Sequence, residues 1–172
     1  MQIDQKLSDG TIEVTNFEIQ DVNYKYLNWI SNPLVNKYLE VRFERFDYEQ
    51  AIEYVAGITS STDSLFLKIC NPEFVGTCTL RLNIFHSTAE VGIMIGELNS
   101  QGKGVAKNAL ELVLYYAKHN LQLRKVTSKI YSSNNASINL FKKLDFKLEA
   151  TLIDQVLVNN LTDDIKIFSK FL

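Results

Sequence analysis

Three consecutive apolar runs with a period of two residues occupy residues 65–95, in the middle of the chain. Because the side chains of a strand alternate between its two faces, each run predicts a β-strand with one buried face. The connections are short: Asn71-Pro72 turns the chain once, and residues 85–87 turn it again. Strands joined so closely pair antiparallel, so the sequence predicts a three-stranded meander.

Helical and strand patterns flank this meander on both sides. In chain order the predicted elements are a strand over Thr11–Phe17, a helix capped by Asp21 and ended by Asn32-Pro33, a helix opened by a capping box of Asp47 and Gln50, the meander, a helix over Gly104–Asn120, a strand over Lys125–Ile130, a helix beginning at Asn134 or Asn135, and strands at Phe146–Leu152 and Ile165–Phe171. This order predicts an α/β (mixed α+β) fold. It has one central, mixed, mostly antiparallel and twisted sheet that is flanked by helices on both faces.

Composition places the chain among globular domains and disfavours several classes of function. With 172 residues, no repeat and no linker, residues 1–172 are interpreted as a single domain. A total of 18 Lys and Arg residues against 20 Asp and Glu residues gives a formal charge of −2, which does not favour a nucleic-acid partner. Two cysteines cannot build a disulfide framework or a thiolate zinc site. Because neither a signal-peptide pattern nor a membrane-length apolar stretch is present, we expect a cytoplasmic protein with no membrane association.

A glycine-rich loop, Gln101–Ala106, follows the last strand of the meander and opens the longest helix. Small residues let a ligand approach the backbone closely, and the free N–H groups and positive dipole end of a helix attract anions. The loop therefore suits a phosphate or a pyrophosphate. A tight strand-to-helix turn that needs glycine at positive φ explains the same residues, so the loop alone leaves both interpretations open.

Two common nucleotide-binding loops do not match this spacing. A Walker A loop has four residues between its first glycine and Gly-Lys-[Ser/Thr]. Here five residues separate Gly96 from Gly102, and Gly104 stands in place of the magnesium-binding hydroxyl. A dinucleotide fingerprint requires a third glycine where Lys107 stands, and an acidic residue about 20 positions later, where residues 121–125 have none. A pyrophosphate in this loop would therefore belong to a different class of cofactor.

The loop resembles the Q/R-x-x-G-x-G/A segment of the GNAT N-acetyltransferases through Gln101, Gly104 and Ala106. Residues Asn134–Phe146 resemble the second motif of that family, N-x-x-S/A-I-x-L-Y/F-x-K-x-G-F, and the predicted order of elements is similar as well. The stretch Glu90-Val91-Gly92-Ile93 is most similar to the branch of ribosomal-protein alanine acetyltransferases, although amino-sugar-nucleotide acetyltransferases share much of this pattern. The resemblance spans nearly the whole chain and implies the GNAT fold.

The resemblance implies that the chain binds acetyl-CoA, with coenzyme A as product and no metal ion involved. Backbone amides of the loop would hold the pyrophosphate, and the end of the last meander strand would pair with the pantetheine arm like an added strand. A backbone N–H of this strand would also polarise the thioester carbonyl. The residues assigned to the cofactor in this way are Ile93, Met94, Ile95, Gln101, Gly102, Lys103, Gly104, Val105, Ala106 and Asn134.

The resemblance also implies direct attack of an amine on the thioester, which needs a base and an acid. Glu90 matches the position of the base, an ion pair on a surface strand is its alternative interpretation, and Glu97 is a weaker candidate. Many family members have a tyrosine as the acid where this chain has Phe141, which has no proton to donate. Ser137 is then the candidate acid. Its alternative interpretation is a hydroxyl that satisfies backbone groups in the first turn of a helix.

The acceptor is a small-molecule or peptide amine that the sequence does not specify. An amino-sugar nucleotide and a protein N-terminus are the leading interpretations, and a small cationic amine, either a polyamine or an aminoglycoside, is the alternative. In a GNAT fold, residues Trp29–Arg45 and Ile153–Asp163 would frame the acceptor pocket, in a monomer or a homodimer. Phe141 also leaves open a non-catalytic acyl-CoA-binding or regulatory module.

Overall fold

The computed structural model describes all of residues 1–172. One sheet of eight strands runs through the molecule in the order β1-β2-β3-β4-β5-β6-β8-β7. The strands are β1 (Leu7–Ser8), β2 (Glu13–Asn16), β3 (Ser64–Cys70), β4 (Phe74–Asn83), β5 (Thr88–Ile95), β6 (Lys125–Tyr131), β7 (Lys147–Val158) and β8 (Leu161–Phe171). The helices are α1 (Tyr24–Ser31), α2 (Pro33–Asn36), α3 (Tyr48–Thr59), α4 (Val105–His119) and α5 (Asn135–Lys143). Only β5 and β6 pair in parallel, so the predicted mixed, mostly antiparallel sheet is confirmed.

Helices cover both faces of the sheet, each over its own apolar cluster. The larger cluster joins α4 and α5 to the strands and includes Leu80, Val91, Leu110, Val113 and Phe141. The smaller cluster joins α1 and α3 to the opposite face and includes Trp29, Val55, Phe66 and Met94. Burial of these side chains holds the helices against the sheet. None of the helices is both long enough and apolar enough to cross a membrane.

The first helix begins later than the sequence predicts. Asn23 caps α1, because its side chain accepts a hydrogen bond from the Tyr26 N–H at 3.0 Å. Asp21 lies in a short 3-10 turn ahead of α1, and its carboxylate lies 2.6 Å from the Lys68 Nζ on β3. The predicted cap at Asp21 is therefore wrong. A long-range ion pair holds that side chain instead.

The boundaries at the end of α1 and the start of α3 are confirmed. α1 ends at Ser31, directly before Asn32-Pro33. Asp47 and Gln50 form the capping box ahead of α3, with the Gln50 N–H 2.8 Å from the Asp47 Oδ1 and the Asp47 N–H 3.0 Å from the Gln50 Oε1. Because these contacts lie within one turn, neighbouring residues in the sequence specify them.

The parallel pairing of β5 with β6 is short, and it leaves a gap between the two strands. β5 pairs with β6 only over Thr88–Glu90 and Lys125–Thr127. In contrast, β5 stays paired with β4 as far as Ile95, and β6 stays paired with β8 as far as Tyr131. The two strands therefore diverge beyond Glu90. The gap between residues 91–95 and residues 128–131 is called the strand cleft below.

Candidate active site

The N-terminus of α4 presents a row of backbone amides that have no acceptor within the protein. Gly104 is the N-cap, and the Asn108 N–H donates to its carbonyl at 3.0 Å. The N–H groups of residues 102–107 donate to no protein group. No acidic side chain lies in the first turn, so the positive end of the helix dipole is not neutralised. This end of α4 can therefore bind an anion.

Gly102 and Gly104 shape this end of the helix. Both have left-handed backbone conformations, with φ angles of 73° and 85°, so the interpretation as a tight turn is confirmed. A Cβ atom on either residue would meet no other atom within 4 Å. The space around these glycines is therefore open. The tight turn and an anion site are compatible, and the two interpretations of the loop do not exclude each other.

Gln101 ties the loop to the end of β5. Its side-chain Nε2 donates to the Ile95 carbonyl at 2.8 Å, and its backbone N–H donates to the Leu98 carbonyl at 3.2 Å. Gln101 therefore differs from residues 102–107, because its own amide is already used inside the protein. The side chain positions the loop beside the strand cleft, and a direct contact between Gln101 and the cofactor stays a prediction.

The three residues of β5 that are assigned to the cofactor do not direct their backbone N–H and carbonyl groups toward the same edge of the strand. The Gly96 N–H donates to the Val75 carbonyl at 2.9 Å, so the register directs the backbone groups of Met94 toward β4 as well. Ile93 and Ile95 therefore direct their N–H and carbonyl groups toward the strand cleft. The side chain of Met94 is buried in the smaller cluster. The assignment of Met94 to backbone pairing with the cofactor thus requires correction, because β4 already occupies that edge.

Glu90 lies at the closed end of the strand cleft, as the last residue of β5 that pairs with β6. Its Oε2 lies 2.8 Å from the Lys129 Nζ, and the two side chains are 35% and 56% exposed. The interpretation of Glu90 as part of an ion pair is therefore confirmed. The carboxylate of Glu97, the weaker candidate, lies 3.6 Å from the Lys25 Nζ. The role of Glu90 as a base stays a prediction.

The second motif forms the start of α5. The Asn134 side chain accepts a hydrogen bond from the Ser137 N–H at 3.1 Å, so Asn134 is the N-cap. The Ser137 hydroxyl is half-buried and makes no hydrogen bond to the protein, so the alternative interpretation, a hydroxyl that satisfies backbone groups, is not observed. Phe141 is buried and contacts the ring of Phe146 edge-on, with ring centres 5.0 Å apart. Ser137 is therefore free to donate a proton, and Phe141 serves the core.

Sequence reasoning misses a polar cluster at the end of β6. The Tyr131 hydroxyl donates to the Glu40 carboxylate and accepts from the Arg42 guanidinium at 2.9 Å. Arg42 also donates to the Leu157 carbonyl at 2.9 Å, which joins the two segments expected to frame the acceptor pocket. Burial and then the hydrogen bond to Glu40 raise the pKa of Tyr131. No sequence signal marks this cluster, because its members come from three distant parts of the chain.

Neither cysteine has the environment of a nucleophile. Burial raises the pKa of Cys78 to about 12, and burial also raises the pKa of Cys70. Both thiols are therefore protonated at neutral pH, whereas the thiolate is the form that attacks. Neither thiol is therefore a candidate for an acyl-cysteine intermediate.

Comparison with known sequences identifies the family. The sequence pattern of the acetyltransferase (GNAT) domain family matches residues 12–147 of this chain. The chain belongs to the GNAT acetyltransferase family. It is an acetyl-CoA-dependent N-acetyltransferase of the GNAT type.

The relatives of this GNAT acetyltransferase that are described next share only about a quarter of their residues with it. The spermidine N(1)-acetyltransferase of Escherichia coli (strain K12) is 26% identical over 153 residues, which cover 88% of this chain and 81% of that protein. A longer relative, an uncharacterized protein of Methanocaldococcus jannaschii, is 28% identical over 120 residues. That match covers 69% of this chain and only 25% of the longer protein.

Among the solved structures that share the fold of this GNAT acetyltransferase are two complexes with coenzyme A. The spermidine N-acetyltransferase from Vibrio cholerae, in complex with CoA and spermine, has a TM-score of 0.84 and 20% identity over 95% of this chain and 96% of that one. RimL, a ribosomal alpha-N-protein acetyltransferase in complex with coenzyme A, has a TM-score of 0.86 and 17% identity, with 98% of each chain covered. The predicted GNAT fold is confirmed.

Proposed function

We propose that this GNAT acetyltransferase transfers the acetyl group of acetyl-CoA directly to a primary amine of a small molecule or a peptide. The observation that carries the proposal is the meeting of two open backbone surfaces, the free amides of residues 102–107 and the cleft-facing edge of Ile93 and Ile95. The hydrogen bond of 2.8 Å from Gln101 to Ile95 holds them side by side. A ligand with an anionic end and an extended, amide-bearing arm fits both surfaces, and coenzyme A is such a ligand.

The residues present fit each part of coenzyme A. The amides of residues 102–107 would bind the pyrophosphate, and the open space at Gly102 and Gly104 leaves room for it. The Ile93 carbonyl and the Ile95 N–H would pair with the amides of the pantetheine arm, since no strand occupies that edge and Gln101 already uses the Ile95 carbonyl. When bound, acetyl-CoA supplies an acetyl group that is activated as a thioester.

Three groups of the chain would then assist the transfer. The Ile93 N–H would donate to the thioester carbonyl and stabilise the negative charge that develops on its oxygen. Glu90 would accept a proton from the ammonium group of the acceptor, directly or through a water molecule, once it is released from Lys129. The Ser137 hydroxyl would donate a proton to the departing sulfur. These roles need no side chain with a thiolate or a metal ligand.

Two measurements on the purified protein test the proposal. Coenzyme A and acetyl-CoA should both raise the melting temperature, and at least one amine should accelerate thiol release above the rate of acetyl-CoA hydrolysis. Binding without any amine-dependent release would favour a non-catalytic acyl-CoA-binding module, which Phe141 leaves open. If no coenzyme A species stabilises the protein, both interpretations are wrong.

The proposal also concerns the class of amine that accepts the acetyl group. An amino-sugar nucleotide and a protein N-terminus are our leading acceptors, and a polyamine is the alternative, as the name of the Escherichia coli relative suggests. An amine panel should therefore contain a nucleotide-linked glucosamine, a short peptide with a free N-terminus, spermidine and an aminoglycoside. The class with the highest kcat/KM identifies the natural type of acceptor.

A further inference from the structure

A cavity of about 390 Å³ lies over the start of β5, next to the closed end of the strand cleft. The polar and charged residues of its lining include Arg81, Asn83, Thr88, Glu90, Arg124 and Lys125. Arg81 and Glu90 are directly opposite each other in the β4 and β5 register, so they share one face of the sheet. The candidate base of the acetyl transfer is therefore part of the wall of this cavity.

Two guanidinium groups give the cavity an uncompensated positive charge. Arg81 forms no ion pair, and Arg124 uses its Nε to donate to the His86 carbonyl at 2.9 Å without meeting a carboxylate. The remaining charges of the lining are already paired. Lys125 lies 2.5 Å from Glu149, and Glu90 pairs with a lysine outside the lining. The local surplus contrasts with the formal charge of −2 of the whole chain.

The lining also carries neutral donors suited to an oxyanion. The Asn83 Oδ1 accepts from the His86 N–H at 3.2 Å, which directs the side-chain carbonyl to the backbone and leaves its NH₂ group unbonded. The Thr88 hydroxyl has no partner in the protein. Guanidinium groups bind phosphate oxygens in a forked geometry, and hydroxyl and amide donors complete such sites. A spermidine-like chain of positive charges would instead be repelled by Arg81 and Arg124.

We propose that this cavity binds the phosphate group of a phosphorylated amine, and that the amine of the same acceptor then reaches Glu90. The inference rests on the proposed acetyl transfer and narrows its acceptor to amines that carry a phosphate or a diphosphate. An acceptor held in this way has its anionic end at Arg81 and Arg124 and its nucleophile at the closed end of the strand cleft. A nucleotide-linked amino sugar belongs to this chemical class.

A binding experiment tests the anion site without any turnover. The protein is first saturated with coenzyme A, so that the amides of residues 102–107 are occupied, and inorganic pyrophosphate is then titrated by calorimetry. We expect binding to the wild type and at least about tenfold weaker binding to the variant Arg81→Gln with Arg124→Gln. Lys118→Gln removes the same type of charge from an exposed position of α4 and should leave the affinity unchanged. Absence of binding to the wild type, or equal affinity in the double variant, would overturn the site.

The single variant Arg81→Lys keeps the positive charge but not the forked geometry of the guanidinium group. It serves as a control for the case in which the double variant does not fold. We expect its pyrophosphate affinity to lie between those of the wild type and the double variant. All variants should keep the wild-type response of the melting temperature to coenzyme A. A double variant that loses pyrophosphate binding together with this response would count against a specific anion site.

A matched pair of amines tests whether the anion belongs to the acceptor. O-phosphoethanolamine and ethanolamine differ only in the phosphate, so the ratio of their kcat/KM values measures its contribution. We expect the wild type and Lys118→Gln to prefer the phosphorylated amine at least about tenfold, and the double variant to lose this preference. Pyrophosphate binding without a preference would identify a free anion as the ligand and overturn the acceptor assignment. If the protein acetylates neither of these amines and no other amine, the proposed function is contradicted. The calorimetric result still decides whether the anion site exists.

Discussion

Ser137 and Phe141 lie one helical turn apart on α5, and their different surroundings suit them to different roles. Phe141 is 1% exposed within the larger apolar cluster, so its ring contributes to packing. The Asn134 side chain satisfies the Ser137 N–H, and the helix start therefore does not need the Ser137 hydroxyl. That hydroxyl is available for proton transfer, one helical turn from Phe141, which stands where many family members have a tyrosine.

The variant Ser137→Ala separates catalysis from folding. Because the hydroxyl bonds to no protein group, we expect an unchanged melting temperature and an unchanged affinity for coenzyme A. The turnover number should fall roughly ten- to a hundredfold, as for the loss of a general acid. Ser60→Ala removes an exposed hydroxyl at the end of α3, one that donates to the Gly57 carbonyl at 3.1 Å, and as a control outside the candidate active site it should keep full activity. Equal rates in both variants would remove Ser137 from the mechanism.

Gly104 offers a test of the anion-binding amides. Gly104→Glu should abolish coenzyme A binding, because its carboxylate would occupy and repel the pyrophosphate position in front of α4. Gly10 is a close match, since its φ is +89° and a Cβ there also meets nothing within 4 Å. Gly10→Glu carries the same backbone strain of about 1 kcal/mol and should leave the affinity intact. If calorimetry finds equal coenzyme A affinities for Gly104→Glu and the wild type, the pyrophosphate assignment is wrong.

At the scale of elements, β5 has two different edges. One edge pairs with β4 along the whole strand, and the other pairs with β6 only as far as Glu90. Backbone groups alternate between these edges, so Met94 serves the sheet and Ile93 faces the strand cleft. The strand therefore contributes to the fold and to the candidate active site through alternate residues.

Proline substitutions can distinguish the two edges. Ile93→Pro removes an N–H that no strand uses, so the protein should still fold, with turnover reduced about a hundredfold or more by loss of the carbonyl-stabilising donor. Met94→Pro removes a ladder hydrogen bond and a buried side chain, and should destabilise the fold by about 3 kcal/mol or more. Urea denaturation and acetyl-CoA turnover measure the two effects. Wild-type turnover in Ile93→Pro would contradict a role for its amide.

At the scale of the whole molecule, the sheet consists of two parts with a narrow join. The backbone ladder joins strands β1 to β5 with strands β6 to β8 only through the pairing of Thr88–Glu90 with Lys125–Thr127. The strand cleft lies between the two parts, and the hydrogen bonds of Arg42 to Tyr131 and Leu157 join the segment before α3 to β6 and β7. A ligand bound in the cleft would add contacts where the sheet has fewest.

Coenzyme A should therefore stabilise the protein globally and protect it locally. At a concentration of about 100 times Kd, mass action predicts about 2.7 kcal/mol of added stability, or a rise in Tm of roughly 5–10 °C. Hydrogen exchange should slow at residues 91–95 and 102–107, while the β1 and β2 hairpin stays as in the free protein. Protection confined to that hairpin would place the ligand elsewhere.

Local patterns in the sequence account for most of the fold and for the loop of the candidate site. The meander follows from alternation, and the positive φ angles of Gly102 and Gly104 follow from the need for a tight turn. The helix cap that was predicted wrongly and the polar cluster that was missed both involve partners distant in the sequence. Asp21 does not cap α1 because Lys68 holds its carboxylate, and the Tyr131 cluster joins side chains separated by about 90 positions or more.

The amino-acid sequence by itself determined which segments become strands and helices, and where the backbone turns in front of α4. These features depend on alternation, capping and glycine conformations within a few residues. Only the tertiary structure decided that β5 and β6 diverge after three paired residues, and that Arg81 and Arg124 line one cavity with Glu90. The physical reason is that β5 packs on β4 while β6 packs on β8, so the strand cleft arises from two separate pairings that no local pattern encodes.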